Sequence, residues 1–75
     1  MVVSTETVCE ALDVLGEEGR HAVKFNVMLT GKAARRFNFC LVVAEAIDVP
    51  IVSVLRRVML HGIDGTFQYF ASKLR

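Results

Sequence analysis

Hydrophobic and polar residues alternate strictly over one stretch of the chain, VKFNVMLT (23–30). One side of this stretch carries Val23, Phe25, Val27 and Leu29, and the other carries Lys24, Asn26, Met28 and Thr30. Because successive side chains of a strand point to opposite faces, the alternation predicts a β-strand at about 22–30 with one apolar face. No other segment alternates comparably, so this strand has no partner within its own chain.

Helical spacing of apolar residues precedes and follows the strand. Residues 4–15 predict a short helix that ends at Gly16, and the run 16–19 predicts a turn. A longer helix is predicted at about 31–47, where apolar residues cover most of the circumference. A helix of this kind is buried on nearly all sides, which predicts packing against more chain than these 75 residues provide.

The long helix is predicted to end before Pro50, because proline disfavours the helical conformation of the preceding Val49. Pro50 also suits the first position of a new helix, predicted at about 50–61. Turn-forming residues from Gly62 onward separate it from a last short helix capped by Thr66. As an alternative, the last two segments form one bent helix.

Acidic and basic residues are divided unevenly along the chain. Residues 1–19 contain five acidic residues and no Lys or Arg, whereas residues 20–75 contain nine basic and three acidic residues. The net charge is only +1, so the sequence predicts an acidic arm attached to a moderately basic body. We therefore divide the chain into an acidic helical arm (1–19), a core (20–62) and a helical extension (63–75).

The chain has few groups suited to catalysis or metal binding. Cys9, Cys40, His21 and His61 are scattered singly, without the spacing of a metal site or the pairing of a nucleophile with a base. No signal-peptide pattern precedes the cysteines, which we expect to be reduced, in the cytoplasm. The sequence thus predicts a binding protein with no metal or other cofactor, and not an enzyme. No apolar run is long enough to span a membrane.

A lone strand cannot satisfy its backbone hydrogen-bonding groups within the chain. The economical solution is a twofold homodimer in which the strand pairs antiparallel with its own copy and lies on interlocked helices. A hydrophobic content of 53% favours such oligomerisation. A two-stranded ribbon fits the major groove of double-stranded DNA, where side chains at alternating positions read base edges. The predicted dimer core consists of Phe25, Val27, Leu29, Phe37, Leu41, Leu55 and Val58.

This arrangement resembles the ribbon-helix-helix family of DNA-binding proteins. The resemblance covers roughly residues 22–62 and rests on the strand KFNVML, the Val49-Pro50 break and the run LRRVM (55–59). It implies a mainly α-helical homodimer with an intermolecular two-stranded antiparallel β-ribbon, extended by helical segments at both ends. The implied function is sequence-specific binding of double-stranded DNA as a transcriptional regulator (a repressor) that inserts its ribbon into the major groove.

The resemblance also implies roles for individual residues. The residues implied to read bases are Lys24, Asn26 and Met28. Lys24 is suited to guanine and Asn26 to adenine, whereas Met28 departs from the usual polar pattern. The residues implied to contact phosphates are Lys32, Arg35, Arg36, Ile51, Val52 and Ser53. The last three begin the second helix of the motif, where backbone N–H groups clamp a phosphate.

Two other functions are consistent with the sequence. One is a protein-interaction module on the same fold, such as an antitoxin or a plasmid partition or conjugation accessory factor, with the terminal helices contacting a protein partner. The other is a helical dimer without affinity for DNA. Arg56 and Arg57 either contact DNA or pair with Glu45 or the acidic arm. The extension, with Phe67, Phe70 and Leu74, either enlarges the dimer core or forms a partner groove.

Overall fold

The fold is mainly helical in the part of the chain that the computed structural model describes, residues 5–28 and 31–74. It consists of three helices: α1 (Thr5–Met28), α2 (Gly31–Ala46) and α3 (Ile51–Ser72). No strand occurs within these two ranges. The predicted strand at 22–30 and the ribbon-helix-helix dimer built on it are therefore wrong, because residues 22–28 continue α1. Leu29 and Thr30 lie outside the described residues.

The stretch predicted as a strand also has a helical pattern. Gly19 and Val23 are buried and Val27 is half-buried, and these residues recur every four positions, which places them on one helix face. Phe25, which a strand would place beside Val23 and Val27, is instead 70% exposed. A helix satisfies its backbone hydrogen bonds within one segment, whereas the strand required a second chain. Packing of the helix face formed by Gly19, Val23 and Val27 against α3 therefore favours the helix over the strand.

Two of the three helices are bent at a glycine. Gly16 in α1 has φ 81° and ψ −175°, and Gly62 in α3 has φ 75° and ψ 174°. This backbone region is essentially accessible to glycine alone. We call these two bends elbows. The segments that they join are 5–15 and 17–28 in α1, and 51–61 and 63–72 in α3.

Each elbow has a second glycine three residues further on. A Cβ added to Gly19 would lie 2.6 Å from the Cβ of Leu15, and one added to Gly65 would lie 3.3 Å from the Cβ of His61. The residue just before each elbow thus approaches the backbone of the following segment closely. Both runs, GEEG (16–19) and GIDG (62–65), form the same local structure. The turn predicted at 16–19 is an elbow within a helix, and of the two predictions for the C-terminal half, one bent helix is confirmed.

The α2–α3 connection follows the sequence prediction. Asp48 has φ 60°, and the Val49 N–H donates to the Ala44 carbonyl at 2.8 Å. The Asp48 N–H donates to the Glu45 carbonyl at 3.3 Å, which completes a Schellman-type helix end. Pro50 is extended and serves as the N-cap of α3. The predicted helix at 31–47 and the break at Pro50 are thereby confirmed.

The hydrophobic core lies where α3 packs against both other helices. Leu41, Leu55 and Val58, which were predicted for a dimer core, are buried within a single chain. Phe37 is half-buried and packs against the same cluster. Part of the apolar surface of α2 is thus covered within the same chain. The other buried apolar residues are Val23, Ala33, Cys40, Val43, Ala44, Val54, Ile63 and Phe70.

The second α3 segment is fixed to the core through Thr66 and Phe67. Thr66 is fully buried, and its hydroxyl donates to the Gly62 carbonyl at 2.8 Å, so the elbow carbonyl and the buried hydroxyl satisfy each other. The Phe67 ring packs on Phe39 of α2 with ring centroids 5.0 Å apart.

In 5–28 and 31–74, no helix combines the length and apolar character needed to cross a bilayer.

Candidate functional site

The elbow at Gly62 brings cationic side chains from both α3 segments to one aromatic ring. The guanidinium carbon of Arg57, before the elbow, lies 3.6 Å from the centroid of the Tyr69 ring, after the elbow. The Lys73 ammonium nitrogen lies 4.9 Å from the same centroid. Tyr69 in turn packs edge-to-face on the buried Phe70, with centroids 5.0 Å apart. Cation–π attraction thus holds two positive charges near each other on a ring that the core anchors.

These groups continue into a positively charged surface on the first α3 segment. Its residues line a shallow depression of about 210 Å³. We call this surface, together with the Tyr69 cluster, the basic face; its residues are Ser53, Arg56, Arg57, Leu60, His61, Tyr69 and Lys73. None of the seven is acidic. Arg56 and Lys73 are exposed and Arg57 is half-buried, so the positive groups are accessible to a polyanion.

A second surface has the opposite charge. A groove of about 530 Å³ runs between the first segment of α1 and the α2–α3 connection. Its carboxylates are Glu10, Glu45 and Asp48, all exposed. We call it the acidic groove; its remaining lining residues are Thr7, Ala11, Val14, Val49, Pro50, Ile51 and Val52. The C-terminal end of α2, which carries the negative end of that helix dipole, lies beside these carboxylates.

Two ion pairs connect separate helical segments. Arg36 of α2 forms an ion pair with Asp64 of α3, and its guanidinium carbon lies 5.3 Å from the centroid of the Phe67 ring. Arg36, predicted to contact phosphate, is therefore engaged in the α2–α3 contact. Arg20 and Asp13 form an ion pair across the α1 elbow. Arg57 is engaged with Tyr69, so the predicted alternative of a pair with Glu45 is not what the structure contains.

Of the predicted base-reading residues, Lys24 and Asn26 have different surroundings. Lys24 is exposed, but the side-chain nitrogen of Asn26 donates to the Ala22 carbonyl at 2.9 Å. Its Oδ1 lies 3.4 Å from the position that a Cβ on Gly62 would occupy. Asn26 thus lies in the α1–α3 contact rather than on an open surface. Met28 is the last residue of α1.

The predicted phosphate contacts are divided among different surroundings. Lys32 and Arg35 are exposed at the start of α2. Ile51 and Val52 line the acidic groove, whose carboxylates disfavour a phosphate there. The Ser53 N–H already donates to the Pro50 carbonyl at 3.0 Å. The Ser53 N–H is therefore engaged within the first turn of α3, and the Ser53 side chain lies on the basic face.

The two cysteines have different environments. Cys9 is free and exposed, whereas Cys40 is free and fully buried. Burial raises the pKa of the Cys40 thiol from 9.0 to about 11, because the apolar core disfavours a thiolate, and a backbone hydrogen bond opposes part of this shift. Among the described residues, no group of three or more His, Cys, Asp or Glu side chains is arranged to hold a metal ion.

Comparison with known proteins gives no match: no family model, no curated protein and no solved structure is similar to this chain. The resemblance to ribbon-helix-helix proteins therefore rests on short motifs alone, and the fold argues against it. The site is accordingly defined by its own geometry.

Sequence reasoning missed Tyr69 and the acidic groove. Tyr69 meets Arg57 across the elbow at Gly62, and no local pattern in the sequence predicts that contact. The groove brings together Glu10 and Asp48, which are separated in the sequence by the whole of α2. The sequence contains a partial signal for the two elbows, because a Gly-x-x-Gly run occurs twice, each time directly after a helical segment.

Proposed function

We propose that this protein binds double-stranded DNA through the phosphate backbone, using the basic face of α3 in place of a β-ribbon. The observation that carries the proposal is the placement of Arg57 and Lys73 on the anchored ring of Tyr69, with Arg56 beside Arg57 in the adjoining depression and no carboxylate among the residues of that face. Cationic side chains on one exposed surface attract a polyanion, and contacts to phosphates are largely independent of base sequence.

Charge separation supports an oriented encounter with DNA. The carboxylates of the acidic groove lie at one end of α2, and the ion pairs of Arg20 and Arg36 occupy other acidic side chains. A net charge of only +1 gives weak overall attraction, so the asymmetry of the surface directs the basic face toward the duplex. Three cationic groups imply a slope of log K against log salt of roughly −2.7.

The role proposed for each residue follows from its position. Arg56 and Lys73 are exposed and contact phosphates directly. Arg57 contacts a phosphate while it remains stacked on Tyr69, since stacking leaves its N–H donors free at the rim of the ring. Leu60, at 73% exposure, gives the face an apolar centre. The contacts proposed for this face are to phosphates and not to base edges.

We propose binding rather than catalysis. Ser53 and His61 are the residues of the basic face with a nucleophile and a base, but eight positions of helix separate them by about 12 Å along the axis. Proton transfer between them would need hydrogen-bonding distance.

The free thiols of Cys9 and Cys40 support a reducing, cytoplasmic setting.

The test uses Tyr69 as its own reporter, because the chain contains one tyrosine and no tryptophan. When a short duplex is titrated into the protein at low salt, the tyrosine fluorescence should change until binding is saturated. Arg56→Gln and Lys73→Gln should each weaken the affinity roughly fivefold and reduce the salt slope by about one. Lys32→Gln removes the same charge from the exposed start of α2 and should leave the affinity for DNA nearly unchanged.

The result with Lys32 also separates this site from another. If Lys32→Gln and Arg35→Gln weaken binding while Arg56→Gln and Lys73→Gln do not, DNA binds at the start of α2 and the basic face is wrongly assigned. If the wild-type protein binds no duplex at micromolar concentration and low salt, the proposed function itself is wrong.

A role in protein interaction is the second candidate, and the acidic groove favours it. Val14, which lines this groove, is 67% exposed, and exposed apolar residues in a concave surface are typical of protein contacts. Such a role is compatible with DNA binding, because the two surfaces use different residues.

A further inference from the structure

The acidic groove and the basic face are complementary in charge. The groove presents Glu10, Glu45 and Asp48, and the basic face presents Arg56 and Lys73 as exposed cations. Opposite charges on two surfaces of one chain attract when two copies meet, and they fix the relative orientation of the copies.

The two surfaces are also complementary in apolar character. Leu60 of the first α3 segment is 73% exposed, and it lines the depression together with Arg56 and His61. The apolar residues that line the groove include Val14 and Val49, and its volume of about 530 Å³ is ample for a leucine side chain with flanking atoms. Burial of an exposed leucine against such a lining favours association, because it removes apolar surface from water.

We propose that the acidic groove binds the basic face of a second copy of this chain, so that molecules associate head to tail. Leu60 of one copy lies against Val14 and Val49 of the next, and Arg56 lies against Glu45 and Asp48. The contact is heterologous, because each copy contributes a different surface, and each bound copy still has one free groove or one free basic face for a further copy. The inference does not depend on DNA binding, although the two would compete for the basic face.

The test uses two variants that each block one side of the contact. The groove-blocked variant carries Val14→Glu and Glu45→Lys, and the face-blocked variant carries Arg56→Glu and Leu60→Asp. All four positions are exposed, so both variants should fold with unchanged circular dichroism. Sedimentation velocity should show the wild type growing in mass with concentration, while each variant alone stays at 8.3 kDa.

The decisive sample is the equimolar mixture of the two variants. One retains an intact basic face and the other an intact groove, so the mixture should form a species of twice the monomer mass and nothing larger. A mixture that remains monomeric, while the wild type associates, overturns the head-to-tail contact in favour of a symmetric one. A wild type that is monomeric at millimolar concentration overturns self-association altogether.

Two controls separate the head-to-tail contact from association through another surface and from DNA binding. Phe25→Ala removes another highly exposed apolar side chain, at 70% exposure, and should leave the association unchanged. Loss of association in Phe25→Ala but not in the blocked variants places the contact on α1 and overturns the proposal. The groove-blocked variant should still bind DNA, so failure of self-association and failure of DNA binding are distinguishable.

Discussion

Asn26 of α1 packs against Gly62 of α3, with its Oδ1 3.4 Å from the position that a Cβ on Gly62 would occupy. The residue that the sequence assigned to adenine recognition thus contacts the elbow that shapes the basic face. Its amide nitrogen is held by the Ala22 carbonyl, so the side chain is fixed within α1 before it meets α3. The elbow at Gly62 is therefore determined both by its own backbone and by the α1 packing.

Gly62→Ala should destabilise the fold by about 1–3 kcal/mol, because a side chain at φ 75° and ψ 174° is strained. Chemical denaturation followed by circular dichroism measures the change. Gly31→Ala is the matched control, since Gly31 is helical and a Cβ there would meet nothing within 4 Å. It should be neutral or stabilising by up to about 1 kcal/mol. Equal effects of the two substitutions would contradict the elbow.

Val23→Ala and Phe25→Ala distinguish the helix from the predicted strand. Val23 is 3% exposed and Phe25 is 70% exposed, whereas a strand places both on one buried face. Val23→Ala should cost about 1–3 kcal/mol of unfolding free energy, and Phe25→Ala less than about 0.5 kcal/mol. Similar large losses from both would restore the strand and its dimer.

The thiols should react at very different rates. Cys9 is exposed and Cys40 is buried, so a thiol reagent should modify one equivalent rapidly in native protein and the second only on unfolding. Cys9→Ser should remove the rapid phase completely. Two rapid equivalents in the native wild type would mean that the core around Cys40 is open.

Cys40 should also make stability depend on alkaline pH. Its folded pKa of about 11 exceeds the ordinary value of 9.0, so the unfolded chain loses the proton first. The contribution is fully present below pH 9 and is lost as the pH rises to 11. Relative to Cys40→Ala, the wild type should lose about 2–3 kcal/mol across this range. A difference between the two proteins that stays constant with pH would contradict the raised pKa.

The sequence predicted those parts of the fold whose signals are local. Gly16, Pro50 and the apolar circumference of 31–47 each act within a few residues, and the structure places the expected bends and helix there. The error at 22–30 arose because Val23 and Val27 satisfy both a two-residue and a four-residue period. Only packing against α3 decides between them, and packing is not local.

The candidate site was less predictable for the same reason. Arg56 and Arg57 stood out as adjacent cations, but their environment depends on the elbow, which places Tyr69 and Lys73 beside Arg57. The groove was hidden because its carboxylates come from α1, the end of α2 and the connection that follows. Local charge therefore identified part of the basic face, and the fold supplied the rest.

The most direct test of the central claim is an amide-resolved NMR titration of the protein with a short duplex at low salt. The account predicts shifts concentrated at Ser53, Arg56, Leu60 and Lys73, with little change at Glu10 and Glu45 in the acidic groove. It also predicts helical carbon shifts for residues 20–27 before DNA is added. Shifts concentrated at Lys24 and Asn26, with extended carbon shifts in that segment, would contradict both the fold and the proposed DNA-binding surface.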